Sequence, residues 1–162
     1  CSTVGSATDG NHGRCVAWGA RQFGCNCVIY IHAEVSHGRR VALENQFAKV
    51  VRVDGNYDES VHFCAEQSDA NGWYVVSDTS YEGYKEVPTN VMEGYSVLAS
   101  EIIDQMYPTP PTHVFVQGGV GGLAAAVNAA LWQVWESARP LLYVVQPERA
   151  ALFHSSVYAH AH

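Results

Sequence analysis

Apolar and polar positions along the chain follow two alternating patterns. Short runs of β-branched and aromatic residues predict buried strands, and stretches in which apolar residues recur every three or four positions predict helices. The predicted strands are residues 27–31, 50–53, 73–76, 114–116 and 141–145. The predicted helices are residues 11–23, 36–47, 58–70, 91–106 and 123–136. Phe23 is expected on the apolar face of the first helix and Phe47 partly inward in the second, and one apolar stripe of the fourth is formed by Val91, Tyr95, Leu98, Ile102 and Met106.

Strands and helices alternate along the chain, which is typical of an α/β fold with parallel sheets and helices on both faces. An irregular segment, residues 77–88, interrupts the pattern. We therefore expect two lobes, a smaller one over residues 1–80 and part of a larger one over residues 81–162. Ligands of open α/β sheets bind beyond the carboxyl ends of the strands, frequently between lobes.

A glycine-rich loop follows the predicted strand 114–116 and precedes a run of helix-forming residues that begins at Leu123. Unpaired N–H groups and the positive end of the helix dipole would face this loop, which suits a phosphate group. A tight strand-to-helix turn, with its glycines kept for packing, is the alternative. The candidate phosphate-binding residues are Gly118, Gly119, Val120, Gly121 and Gly122.

A second motif, residues 8–14, stands directly before the first predicted helix. Asn11 can both donate and accept hydrogen bonds at the start of this helix, and Asp9 brings a carboxylate to the same place. An ordinary helix cap, with Asp9 or Asn11 as the capping residue, is the alternative. Asp78 follows the third predicted strand, where it would serve either a ligand or a turn.

Charge and cysteine content exclude several classes of partner. The 162-residue chain has a net charge of −7 and no basic cluster beyond Arg39-Arg40, so nucleic acid and anionic membranes are poor partners. No apolar run reaches membrane-spanning length and no signal peptide opens the chain, so we expect a cytoplasmic protein. Five cysteines, an odd number, indicate reduced thiols. Cys25 and Cys27 lack the spacing of a zinc site, and no metal is expected.

The two motifs together resemble those of the fold-type II pyridoxal-phosphate enzymes, which include serine and threonine dehydratases and serine racemase. Thr8-Asp9-Gly10-Asn11-His12-Gly13 and Gly118-Gly119-Val120-Gly121-Gly122-Leu123 carry this resemblance. Asp9, in place of a more usual Ser, and the segment Asp78-Thr79-Ser80-Tyr81-Glu82-Gly83-Tyr84 are similar to the diaminopropionate ammonia-lyase branch of the family. The likeness extends over essentially the whole chain.

The resemblance implies a pyridoxal phosphate cofactor, a small amino-acid substrate and a role for each candidate residue. The loop from Gly118 to Gly122 would hold the cofactor phosphate, and Asn11 would hydrogen-bond the phenolic oxygen of the ring. Asp9 would act as an acid/base at the substrate Cα, and Asp78 would bind the second amino group. The implied reaction is β-elimination of 2,3-diaminopropionate to pyruvate and ammonia, with the cofactor as electron sink.

One feature of the family has no counterpart in the sequence. The family joins its cofactor to a lysine several tens of residues before the Asp-Gly-Asn-His motif, whereas the lysines here are Lys49 and Lys85. We therefore expect an internal piece of such an enzyme, incomplete at both ends and impaired as a lyase. An exposed sheet edge would favour a homo-oligomer.

Two other functions remain open at this stage. One is a cofactor-free or metal-assisted hydrolase, for which His160 and His162 would be the metal ligands. The other is a non-catalytic protein that binds a phosphate-bearing ligand.

Overall fold

The computed structural model describes residues 2–8 and 10–148. Its strands are β1 (Thr3–Ala7), β2 (Asn26–Ile31), β3 (Lys49–Arg52), β4 (Tyr74–Val75), β5 (His113–Gln117) and β6 (Leu141–Val145). Its helices are α1 (Asn11–Gln22), α2 (His37–Glu44), α3 (Tyr57–Asn71), α4 (Glu86–Met106) and α5 (Gly122–Trp135), and a 3-10 turn (Glu136–Ala138) follows α5. The chain divides into two compact units, Cys1–Ser77 and Asp78–His162.

The first unit is built on a parallel four-stranded sheet in the order β3-β2-β1-β4. α1 and α2 cover one face of it, where Ala17, Ile29 and Leu43 are buried together. α3 covers the other face, where Cys64 packs with Val28 and Tyr30. The expected parallel sheet with a helical layer on each face is therefore confirmed for this unit.

The apolar pattern does not predict β1, although this strand lies in the interior of the sheet. Only Thr3 and Val4 have β-branched side chains, and Gly5, Ser6 and Ala7 are too small to produce a recognisable alternation. The small residues are there because α3 approaches closely: a Cβ added at Gly5 would lie 2.8 Å from Ser68 Oγ. β1 matters for the site because Thr8 directly follows it.

The second unit contains the parallel pair β5 and β6, against which α4 and α5 pack. One core cluster of this unit is formed by Ala99, Ile103, Val127, Ala130, Leu131 and Trp135. On the other side of the pair, Phe115 is 69% exposed and stacks on Tyr143 with ring centroids 5.1 Å apart. Among the described residues, this unit thus has a helical layer on one face of its strands.

Two expectations about the apolar face of a helix are wrong. Phe47 does not extend α2 inward, because its φ of 64° ends the helical path and leaves its side chain 78% exposed beneath the Arg21 guanidinium. Phe23 likewise follows α1 and is exposed. In α4 the buried positions are Pro88, Ala99 and Ile103, whereas the stripe predicted from the sequence lies beside them, as shown by Leu98, which is 49% exposed.

No helix in the described ranges combines the length and the apolar composition that crossing a membrane requires.

Candidate functional site

Gly118 anchors the glycine loop to the end of β6. Its N–H donates to Val145 O at 2.9 Å, and Gln146 Nε2 donates to Gly118 O at 3.3 Å. A Cβ at this position would lie 2.4 Å from Val144 Cγ1, so no side chain fits here without moving β6. Gly118 is therefore required by packing between the strands.

Gly119 and Gly121 play different parts in the same loop. A Cβ built at Gly119 would have no atom within 4 Å, so this position borders open space. Gly121 has a φ of 92°, a left-handed conformation that costs other residues about 1–2 kcal/mol. Gly121 thus makes the turn, while Gly119 leaves room next to it.

The first turn of α5 presents free backbone donors to this space. Ala125 N–H donates to Gly121 O at 3.0 Å. The three preceding N–H groups, those of residues 122–124, have no carbonyl one turn earlier in the helix. The N-terminal residue Gly121 has no capping side chain, and no acidic residue stands in the first turn. Because donors and the positive dipole end remain uncompensated there, an anion is the group that this end of α5 suits.

Asp78 comes to the same place from far along the chain. A Cβ at Gly122 would lie 4.0 Å from Asp78 O and 3.2 Å from Met92 Cγ of α4. Thr79 Oγ1 donates to Asp78 Oδ1 at 3.4 Å. Two parts of the sequence-predicted site, Asp78 and the glycine loop, are therefore neighbours within the second unit.

Thr8 holds the second motif, residues 8–14, through two hydrogen bonds, a role that the sequence pattern did not predict. Its Oγ1 accepts the N–H of Gly10 at 3.2 Å and the N–H of Gly13 at 3.1 Å. Gly10 occupies the cap position of α1 without a side-chain cap, and Asn11 is the first helical residue, so the reading of Asn11 as the cap is wrong. Asp9 lies outside the described residues. The sequence signal for this role is a threonine two residues before Gly10. Glycine has no side chain with which to cap the helix, so the threonine hydroxyl can do so instead.

Asn11 and His12 differ in what they contact. Asn11 is exposed and lines a surface depression of about 280 Å³ with Arg14, Cys15, Trp18 and Gln46. His12 Nε2 lies 3.0 Å from Val76 O. A carbonyl can only accept, so Nε2 carries the proton of this hydrogen bond. His12 thereby ties α1 to the residue that follows β4, and Asn11 beside it is exposed.

The two lysines are both exposed. Lys49 is exposed at the amino end of β3, whereas Thr8 follows the carboxyl end of β1. Because β1, β2 and β3 are parallel, Lys49 and Thr8 lie at opposite ends of the strands of one sheet. Lys85 is exposed directly before α4, and its carbonyl accepts from Thr89.

Comparison with known proteins assigns the family. A family model described as "Pyridoxal-phosphate dependent enzyme" matches residues 2–162. The chain therefore belongs to the pyridoxal-phosphate-dependent enzymes, as the resemblance implied.

Within that family, the chain is similar to diaminopropionate ammonia-lyases. It is 40% identical to the enzyme of Escherichia coli strain K12 over 156 residues, which is 95% of this chain and 39% of the relative. The Salmonella typhimurium enzyme is 37% identical over 94% of this chain and likewise 39% of the relative. The chain thus spans about two fifths of the length of these relatives.

Solved structures agree with this assignment. The E. coli enzyme "in complex with aminoacrylate-PLP azomethine reaction intermediate" superposes with a TM-score of 0.93 at 38% identity, covering 98% of this chain and 42% of that chain. Threonine deaminase isoform 2 from Solanum lycopersicum, 23% identical, has a TM-score of 0.79 over 98% of this chain and 40% of that chain, which shows the shared fold. The expected fold-type II α/β architecture is confirmed.

Proposed function

We propose that this chain supplies the phosphate-binding and substrate-facing part of a pyridoxal-phosphate-dependent ammonia-lyase that acts on 2,3-diaminopropionate. The observation that carries the proposal is the uncapped start of α5, with open space at Gly119 and Asp78 O beside Gly122. The similarity to diaminopropionate ammonia-lyases supports the choice of substrate. In the overall reaction, 2,3-diaminopropionate and water give pyruvate and two molecules of ammonia.

The residues present fit a phosphate group. The N–H groups of Gly119 to Gly122 would bind its oxygens, and the free donors at the start of α5 would add to the attraction. Asn11, exposed at the start of α1, would hydrogen-bond the phenolic oxygen of the pyridine ring. When bound, pyridoxal phosphate supplies an electron sink for the negative charge that develops at the substrate Cα.

Two carboxylates would handle the substrate. Asp9 would take up or return the Cα proton, notably for the D-isomer, as a general acid/base. Asp78 would bind the second, cationic amino group, the one that leaves as ammonia. The position of Asp78 next to the glycine loop supports this role, because both would then face one bound molecule.

The 162 residues alone, we propose further, bind the phosphate-bearing ligand without completing the reaction. Lys49 lies at the opposite edge of the sheet from Asn11, and Lys85 is exposed ahead of α4. Neither lysine is thereby suited to hold the cofactor covalently, and turnover in this class requires such a bond. A non-catalytic ligand-binding role is the second candidate, and this arrangement of lysines favours it. Nothing in the comparisons supports a hydrolase, and His160 and His162 lie outside the described residues.

A matched pair of variants at Gly119 tests the phosphate site. Gly119→Asp adds a negative charge where a side chain has free space, and Gly119→Asn adds the same shape without charge. We expect Gly119→Asp to weaken binding of pyridoxal phosphate about tenfold or more, and Gly119→Asn far less. Gly94→Asp, at an exposed position of α4 where an added Cβ would meet no atom within 4 Å, is the charge control. Isothermal titration with pyridoxal phosphate, pyridoxal and inorganic phosphate measures the effect. Equal affinity of wild type and Gly119→Asp would remove this loop from the site.

Covalent attachment needs a separate measurement. After incubation with pyridoxal phosphate and borohydride reduction, we expect the intact mass of the chain to be unchanged, and no pyruvate to form from 2,3-diaminopropionate. A cofactor mass located on Lys49 or Lys85 would contradict the proposed division between binding and catalysis.

We also propose a cytoplasmic location and a homo-oligomeric assembly. A cytoplasmic protein is supported by the odd number of cysteines and the acidic composition. A homo-oligomer is supported by the exposed apolar face of the β5–β6 pair, which carries Phe115, Leu141 and Tyr143. Light scattering on the purified chain measures the second point, and a monomer at all concentrations would contradict it.

A further inference from the structure

Thr8 is buried at the end of β1, yet its side chain has a polar task. It is 5% exposed, and its own N–H donates to Tyr30 O at 3.1 Å, which continues the pairing of β1 with β2. Its Oγ1 accepts from Gly10 and Gly13, two N–H groups that the helix itself leaves without an acceptor. One hydroxyl therefore fixes both ends of the turn that leads into α1.

The methyl group of Thr8 is fitted as closely as its hydroxyl. A Cβ added at Gly13 would lie 2.1 Å from Thr8 Cγ2 and 3.2 Å from Leu43 Cδ2. The methyl thus occupies the space that the missing side chain of Gly13 leaves. Packing and hydrogen bonding together leave the Thr8 side chain one orientation.

His12 fixes the same turn through a further hydrogen bond. Its Nε2–H donates to Val76 O, and it stands next to Asn11 in sequence. Of the two sequence neighbours of Asn11, Gly10 is bonded to Thr8 and His12 is bonded to Val76. The backbone on both sides of Asn11 is therefore held by hydrogen bonds.

We propose that Thr8 is a positioning residue of the ligand site: its buried hydroxyl, acting through Gly10 and Gly13, holds Asn11 where it meets the ring of the bound ligand. The inference rests on the proposed function, since Asn11 is a ligand residue only there. Thr8 makes no contact with the ligand in this scheme. Its effect is confined to the part of the ligand that Asn11 meets, and the phosphate, held by the glycine loop, is unaffected.

Two substitutions separate the hydroxyl from the methyl. Thr8→Val keeps the shape and removes the acceptor, whereas Thr8→Ser keeps the acceptor and removes the methyl. In amide hydrogen exchange, we expect Gly10 and Gly13 to exchange about tenfold faster in Thr8→Val and near the wild-type rate in Thr8→Ser. Thr109→Val, in an exposed connector, is the control.

Ligand titrations then test the consequence. Thr8→Val is expected to bind pyridoxal phosphate about tenfold more weakly than wild type and inorganic phosphate with unchanged affinity. Thr8→Ser is expected to bind both like wild type. If Thr8→Val binds pyridoxal phosphate as tightly as wild type, or if Thr8→Ser loses as much as Thr8→Val, the hydroxyl does not position Asn11 and the inference is overturned.

The failure of the proposed function has a different signature. A wild-type chain that binds neither pyridoxal phosphate nor inorganic phosphate overturns the proposed function, and the role of Thr8 toward a ligand falls with it. A wild-type chain that binds both, combined with a Thr8→Val variant of equal affinity, overturns the role of Thr8 alone.

Discussion

Replacing Gly13 by alanine should destabilise the first unit, although alanine is the better helix former. In an unobstructed helix interior, glycine-to-alanine substitution contributes about 0.5–1 kcal/mol to stability. At Gly13, the new methyl would lie 2.1 Å from Thr8 Cγ2 and 3.2 Å from Thr8 Cβ, which is near the backbone and cannot swing away. Overpacking of this kind costs about 1–3 kcal/mol. The net expectation is a loss of about 1–2 kcal/mol.

The same helix provides the matched control. A Cβ at Gly19 would meet no atom within 4 Å, so Gly19→Ala should stabilise the unit by about 0.5–1 kcal/mol. Urea unfolding followed by circular dichroism gives both free energies. The Thr8→Ser change removes the clashing Cγ2, so the Gly13→Ala/Thr8→Ser double variant should recover part of the loss, a coupling that a double-mutant cycle isolates.

If Gly13→Ala were as stable as Gly19→Ala, or if Thr8→Ser failed to relieve it, Thr8 and Gly13 would not be in the close contact described. The orientation of the Thr8 hydroxyl would then lose its steric support.

Two further results are expected. Burial raises the pKa of Cys27 and of Cys64 to about 11, from 9.0. Since the folded state resists forming these thiolates, the free energy of unfolding should be undiminished well below pH 9 and fall by about 1–2 kcal/mol for each thiol as the pH rises to 11. Between pH 9 and pH 11, the urea midpoint of a Cys27→Ala variant should fall less than that of the wild type. An equal fall in both proteins would contradict the raised pKa of Cys27. Arg52 donates to three carbonyls of the loop 32–35, so Arg52→Met should cost about 1–3 kcal/mol in the same assay; no change would show that these bonds are replaced by water.

Apart from β1, the order of the strands and helices could be predicted from the sequence, while the faces of the helices could be predicted only in part. The strand 141–145 begins and ends where its apolar run does. Helical spacing continued past Glu44 predicts an inward Phe47, but α2 ends at Glu44 and Phe47 itself adopts a left-handed conformation. In α4 the close contact is made by the small residue Ala99, and hydropathy assigns more weight to its larger neighbour Leu98. Periodicity identifies the apolar side of a helix, but side-chain size decides which position lies closest to the next element.

The glycine loop shows the same limit of prediction from sequence more clearly. Four glycines in five positions suggested one common function, and the structure gives them separate ones: Gly118 for strand packing, Gly121 for the turn, and Gly122 for the approach of Met92. At Gly119 the absence of a side chain leaves open space, whereas a Cβ at Gly118 or Gly122 would meet a neighbour. A charge placed at Gly119 therefore tests ligand binding alone, whereas a change at Gly118 or Gly121 would disturb the fold as well. The glycine pattern predicts a phosphate site in this loop, and the surroundings of the missing Cβ atoms at Gly118, Gly119 and Gly122 indicate Gly119 as the position at which to test it.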